Sequence, residues 1–457
     1  MRSLFLIEQG VHLGQLSYRG CLRQSLCHGL LQNTTGRRGG VRCWASAAQE
    51  ELLKVAIPRQ PGVTEGAWDR ADRLAVQEAL VDSQQASTSG RSTEAGGQVL
   101  LGRSLEELQD FAKAHGQPAY RGKQLYDGLM HGAHSVEDIT NVPSSWRQEL
   151  VRQGVKTGRS KLFKEVRALD GTRKFLLQLH DGYLVETVGI PLDDTDKHRL
   201  TVCVSSQVGC PMRCTFCATG KGGFARNLRP HEIVDQVLTV QEHFGTRVSN
   251  IVYMGQGEPC LNWRAVLASA EFINRDIGVG ARHITISTVG VPNSIRMLAQ
   301  ALKERSLQVT LAVSIHAPSQ EVREKIVPSA KAYPLNALLE DCSTFYKITG
   351  RRVTFEYTLL AGFNDSPAQA EELARTLTRH GLRGSHVNLI PWNAVDDAQF
   401  KRPSKAAGRA FRDALNRAGV PVSVRVTRGT DAAAACGQLR NQHQRTPLDA
   451  PLRQALQ

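Results

Sequence analysis

From Leu200 onward, short apolar runs rich in β-branched residues alternate with stretches of helical period. The apolar runs occupy 200–206, 249–254, 283–288, 307–315, 352–360, 385–391 and 421–427. Helical patterns fill 230–244, 262–275, 292–304, 335–347, 367–380 and 404–418. Pro230 stands near the start of the first of these helices, where a missing N–H does no harm. A βα alternation of this length predicts an α/β fold: a parallel sheet that curls toward a full or partial barrel over 199–440. In such folds chemistry gathers where the strands end.

Upstream the rhythm differs. Ser104-Leu105-Glu106-Glu107 is a helix start, with Leu105, Leu108 and Phe111 on one face. A second helix begins at Tyr120-Arg121-Gly122-Lys123-Gln124, and a third carries Trp146 and Leu150. These predict a small helical accessory module over 101–155. Lys156, Arg159, Lys161, Lys164 and Arg167 follow, and then two runs, Lys174–His180 and Tyr183–Ile190, flank His180-Asp181-Gly182. That pattern predicts a β-hairpin extension over 156–198. Residues 49–100 include the polar stretch 83–98 with no sustained period and are expected to form a disordered linker. The tail 441–457 is expected to be disordered as well.

Charge changes the picture in two places. The chain carries a formal charge of +14. Residues 1–48 hold six arginines against the single acid Glu8, which is how an organellar transit peptide reads. Val41-Arg42-Cys43-Trp44-Ala45-Ser46 suits a plastid processing site, so the expected address is the chloroplast, with the mitochondrion and cytoplasm as alternatives. The remainder is still basic, which favours a polyanionic partner such as RNA. RNA backbone contacts are expected on the helical module and the basic stretch 156–174. The longest mainly apolar runs fall far short of the ~20 residues that a membrane span needs, and a monomer with no membrane association is expected.

The ten cysteines are not spaced as a small disulfide scaffold. Three form Cys210-Pro-Met-Arg-Cys214-Thr-Phe-Cys217 at a strand-to-loop junction. Three thiolates this close can hold a cubic iron–sulfur cluster and leave one iron without a protein ligand. A structural zinc site, in a non-catalytic RNA-binding protein, is the other reading, although zinc normally wants a fourth ligand. Further strand ends carry polar groups. Gly255-Gln256-Gly257-Glu258-Pro259 follows Asn250–Met254, and Gly257 would let a ligand approach while Glu258 could receive an ammonium group. Ser287, Ser314-Ile315-His316 and Asn393 end later strands and offer groups for ribose, carboxylate or adenine.

The Cys-x3-Cys-x2-Cys spacing, with aromatic Phe216 before the third cysteine, resembles the radical S-adenosylmethionine superfamily. The resemblance then narrows. Val202–Cys210, Gly223–Leu228, Met254–Pro259, Ser314–Pro318, Asn388–Asn393 and Ala435–Leu439 look like the RlmN family of dual-specificity RNA methyltransferases. The likeness runs from about residue 100 to 440. Departures are Gln256 where many members have Met, Cys260 where Leu is usual, and an acid missing from Ala432–Ala435. A sister family that methylates carbon 8 of adenine shares much of the pattern, and a methylthiotransferase would need a second cysteine triplet.

The resemblance implies a partial radical-enzyme barrel, a 4Fe-4S cluster on Cys210, Cys214 and Cys217, and S-adenosylmethionine held by Gly257, Glu258, Ser287, Ser314, Ile315, His316 and Asn393. It implies methylation of carbon 2 of an adenosine in large-subunit rRNA and in tRNA. Carbon 2 lies between two ring nitrogens and is too electron-poor for polar methyl transfer, so radical addition is required. Two S-adenosylmethionine molecules are implied per turnover: one methylates Cys436, the other yields the radical that activates the methylated Cys436. A covalent RNA–Cys436 adduct follows. Glu186 is implied as acceptor of the carbon-2 proton and Cys203 as the thiol that releases the product by disulfide formation with Cys436. An electron donor such as ferredoxin or flavodoxin and a thiol reductant complete the expected partners.

Overall fold

The barrel strands begin at Lys197–Cys203 (β4) and continue as Asn250–Tyr253 (β7), Ile284–Thr288 (β8), Thr310–Ser314 (β9), Thr354–Leu359 (β10), His386–Pro391 (β11) and Val422–Val424 (β12). Each pairs in parallel with the next. Ahead of them run Lys161–Arg167 (β1), Arg173–Gln178 (β2) and Leu184–Asp194 (β3), antiparallel to one another and, through β3, to β4. A separate two-stranded ribbon, Gln207–Gly209 (β5) with Phe224–Asn227 (β6), flanks the cysteine loop. The ten strands form one open sheet whose edges are β12 and β1. The fold is therefore a partial (β/α) barrel with an antiparallel extension and accessory helices. This computed structural model describes residues 74–77, 79, 93–94, 97–194, 197–396, 399–440 and 448. The chain divides into two units, Met1–Leu53 and Lys54–Gln457, and every described residue belongs to the second.

Local chemistry accounts for the elements. Pro230 opens the helix Pro230–Phe244, Glu232 accepts from the Arg229 N–H at 2.8 Å, and Gly245 ends it at φ 59°. Ser104 and Glu107 form the capping box of Leu105–Ala114. The run expected as one helix over 262–275 is resolved into a 3-10 turn Pro259–Asn262, a helix Trp263–Phe272 and a π turn Ile273–Ile277. Apolar residues of the parallel strands, among them Ile251, Ile286, Val313, Phe355 and Leu389, are buried against the crossover helices. The module Leu105–Ala114, Tyr120–Met130 and Ser144–Arg152 has its own apolar centre around Leu108, Leu125, Trp146 and Leu150.

The hairpin expected around Asp181 is present, but it is not a separate arm. Strand β3 carries the antiparallel pairing straight onto β4, with Val188 opposite Cys203. Strand β1 has no counterpart in the expected elements. Within the stretch expected as a linker, residues 74–77 and 79 are helical, and Ala75, Val76 and Ala79 are buried among Met212, Phe216 and Phe224. The expected transit peptide 1–48 lies outside the described residues, as does the tail 441–457 apart from Leu448. No described helix is long and apolar enough to cross a membrane.

Candidate active site

The cysteine loop leaves β5 and returns through β6. Its first anchor is the Cys210 N–H, which donates to Gly223 O at 2.8 Å, and the Cys217 N–H donates to Cys214 O at 3.1 Å. Cys210, Cys214 and Cys217 are free thiols, and all three pack against an apolar cluster containing Met212, Phe216, Leu261, Val289 and Trp392. Burial pushes the Cys210 and Cys214 thiols up, and the neighbouring cysteines add to it. Among the described residues no three His, Cys, Asp or Glu side chains converge as ligands of a single ion do. The thiolates of a four-iron cube stand further apart, at its corners. Three thiols on one loop in apolar surroundings fit such a cluster.

The strand ends surround this loop. Gly257 sits at φ 108°, and a Cβ there would stand 2.7 Å from both Gln207 Cβ and Ser206 Oγ. Only glycine lets the turn press this close to β5. Glu258 is buried, which raises its pKa, but its oxygens accept from the N–H groups of Cys260 and Val289, both at 2.9 Å. Its carboxylate therefore braces the turn as well as facing the loop. Ser314 ends β9, and Ser287 is the last residue but one of β8. Ile315 is fully buried, and its carbonyl accepts from Arg323 Nε at 3.2 Å. Burial pushes His316 down to about 3, so the ring is neutral. Thr358 N–H donates to its Nδ1 at 3.0 Å, which leaves the proton on Nε2. The ring meets Phe216 edge-on, with centroids 4.8 Å apart.

The loop bearing Cys436 closes over the same place. Ala218 N–H donates to Gly437 O at 2.8 Å, and Thr219 Oγ1 donates to Leu439 O at 2.7 Å. Asn393, expected to touch cofactor, also ties the Cys436 loop to Arg402 through its amide. Nδ2 donates to Cys436 O at 3.0 Å, and Oδ1 accepts from Arg402 at 2.8 Å. Ala432, Ala434 and Leu439 pack on Val188, with Cys203 beside them. The loop thus covers the face of the sheet on which Cys203 lies.

Cys203 and Cys436 are free thiols, so the implied disulfide is no standing part of this fold. Burial, with the neighbouring Cys436, pushes Cys203 up to about 12; the Arg425 guanidinium opposes this. Cys436 is solvent-accessible but closely surrounded, and that crowding raises its pKa, again opposed by Arg425. Glu186 is not a solvated charge. It is 1% exposed, on the same face as Cys203, and its carboxylate meets Lys174 Nζ at 3.1 Å.

Sequence reasoning missed Lys174, Arg425 and Arg323. Lys174 and Arg159 were expected to meet RNA, yet both are buried. Arg159 is held by Asp235 at 2.5 Å and Glu242 at 2.7 Å. Only their long-range partners reveal these roles, and nothing local in the chain signals them.

A Cys-x3-Cys-x2-Cys loop set among the strand ends of a partial parallel barrel defines the class of radical S-adenosylmethionine enzymes. The pattern of the radical SAM superfamily matches residues 204–377. A probable dual-specificity RNA methyltransferase RlmN of Synechococcus elongatus is 55% identical over 354 residues, covering 77% of this chain and 96% of that protein. Its counterpart in Thermosynechococcus vestitus is 56% identical, with 75% and 98% covered. A crystal structure of a radical SAM methyltransferase from Sphaerobacter thermophilus superposes with a TM-score of 0.68 at 40% identity, covering 74% of this chain and 98% of that one. The chain belongs to the RlmN family.

Proposed function

We infer that the protein methylates carbon 2 of an adenosine in large-subunit rRNA and in tRNA, with Cys436 as the methyl carrier. One observation carries this reading: the Gly437 and Leu439 carbonyls are hydrogen-bonded to Ala218 and Thr219, directly after Cys217. The sulfur that must be activated is thereby tethered beside the cluster loop, with Cys203 and Glu186 on the sheet face below. Cys210, Cys214 and Cys217 would hold a 4Fe-4S cluster, which when bound supplies the electron that cleaves S-adenosylmethionine.

The chain's own residues do the rest. Cys436 accepts a methyl group on sulfur, and its crowded but accessible position lets both cofactor and base reach it. Radical addition leaves one unpaired electron on the RNA–Cys436 adduct, which returns to the oxidised form of the electron donor, and Glu186, buried and raised in pKa, accepts the carbon-2 proton. The Cys203 thiolate then attacks the Cys436 sulfur: an S–S bond forms, the S–CH2 bond breaks, and its electron pair stays on carbon, which takes a proton to become the methyl group. A thiol reductant restores the pair. Two S-adenosylmethionine molecules per turnover follow from this division of labour, one for each role, and ferredoxin or flavodoxin is the class of electron donor.

RNA contacts belong to the edge strand β1. Lys161 and Lys164 are exposed there beside Leu162 and Phe163, which offer charge for phosphate and surface for a base. The Arg-rich segment 1–48 supports a plastid address, and the two RlmN relatives named above are cyanobacterial. The test is mass spectrometry of nucleosides from RNA treated with anaerobically reconstituted protein. 2-Methyladenosine is expected. 8-Methyladenosine would transfer the reading to the sister activity, and unmodified RNA would overturn it.

A further inference from the structure

The implied proton acceptor, Glu186, is held from two sides by residues without an assigned role. From one side comes Lys174, 5% exposed, whose Nζ lies 3.1 Å from Glu186 Oε1. The same ammonium donates to the carbonyl of Ala433 at 3.0 Å, three residues before Cys436. Ala433 takes a positive φ of 48°, so this carbonyl is turned down onto the sheet by a bend the alanine does not favour. From the other side comes Gln256, also 5% exposed, from the turn ahead of Gly257. Its Oε1 accepts from the Glu186 N–H at 3.3 Å, and its Nε2 donates to Glu186 Oε2 at 3.4 Å. Ser205 closes the ring: its hydroxyl donates to Glu186 O at 2.5 Å and accepts from the Gln256 N–H at 2.9 Å.

We propose that Lys174 and Gln256 are positioning residues that set the Glu186 carboxylate for proton removal and tie it to the Cys436 loop and the cofactor turn respectively. A buried carboxylate without a partner would take up a proton and be useless as a base. Lys174 opposes that by charge, and it is the only cation that the hydrogen bonds and ion pairs among the described residues bring to this carboxylate. When Glu186 accepts a proton, its charge attraction to Lys174 falls away and only the Ala433 carbonyl still holds the ammonium. The grip of the sheet on the Cys436 loop is then transmitted through one residue that senses whether the base has done its work. Gln256 makes the second tie. It spans from the glycine turn that cofactor must approach to both the backbone and the carboxylate of the base.

The proposal rests on the methyl-carrier reading above, and the two are separable. The experiment follows decay of the RNA–Cys436 adduct after a single anaerobic turnover, from pH 6 to 9, in wild type, K174M, K174R and Q256M. Cluster content and Cys436 methylation, which precede proton removal, report whether each variant is folded. In K174M the adduct is expected to persist, with decay slowed about tenfold or more, and the acidic limb of the decay profile moves to higher pH. K174R restores the limb toward wild type because it restores the charge, and Q256M slows decay to a smaller extent. Wild-type decay and an unmoved limb in K174M would overturn the proposal, as would a K174R protein as defective as K174M. Should K174M fail to hold its cluster, Q256M decides, and decay unchanged in Q256M overturns the proposal. Absence of any adduct or methylated RNA in wild type would instead refute the methyl-carrier reading.

Discussion

The N–H of Ala218, next to Cys217, donates to the carbonyl of Gly437, next to Cys436, across 2.8 Å. Two loops more than two hundred residues apart in sequence are thus joined one residue from Cys217 and one residue from Cys436. On the reading proposed above, this bond keeps the thiol that would carry methyl beside the loop that would hold the cluster.

If Cys203 releases the product, its loss must strand the preceding species. Cys203→Ala should therefore accumulate RNA that migrates with protein on a denaturing gel, whereas Cys436→Ala should form none. Crosslinked RNA in the Cys436 variant would refute the assignment of the carrier.

Arg425 is the cation that both working thiols feel. A thiol is nucleophilic only as thiolate, and the guanidinium lowers the pKa that burial has raised. In Arg425→Met the thiols lose that support and their pKa rises further. Alkylation of Cys203 and Cys436 by iodoacetamide, mapped by mass spectrometry, should then move to higher pH than in wild type. An unchanged profile would remove Arg425 from the account.

Much of the scaffold is legible along the chain because burial leaves a local trace. The apolar run that became Thr310–Ser314 and the Pro230 and Ser104 helix starts each carry their reason within a few residues. Strand Lys161–Arg167 leaves no such trace: it is a sheet edge, exposed along most of its length, so no alternation marks it. Glu186 reads as a charge on the outer face of a hairpin. Its burial depends on Lys174 across the sheet and on Gln256, seventy residues away in sequence. Asn393 falls at a strand end, as a ligand would, and its amide also reaches Cys436 and Arg402, contacts that the strand pattern does not signal. Strand-end position identifies the neighbourhood, and only the fold assigns the contacts.

His316 gives the stability of the protein a specific acid dependence. Its pKa falls from 6.5 to about 3 on folding, because burial disfavours the imidazolium. Below pH 6.5 the unfolded chain takes up a proton that the folded chain refuses. Stability is therefore lost as pH falls, by roughly 1.4 kcal/mol per pH unit until the folded value is reached. Denaturant midpoints measured from pH 7 to 4 should fall more steeply in wild type than in His316→Asn, a residue that tolerates the positive φ of 56° at this site. Parallel curves would contradict the buried neutral ring.

The most direct test of Cys436 as methyl carrier is an isotope transfer. Protein methylated on Cys436 with a deuterated methyl group is freed of cofactor, then given RNA, reductant and unlabelled S-adenosylmethionine for one turnover. The account predicts that the 2-methyladenosine released carries deuterium from Cys436. Unlabelled product, with the deuterated methyl group still on Cys436, would contradict it.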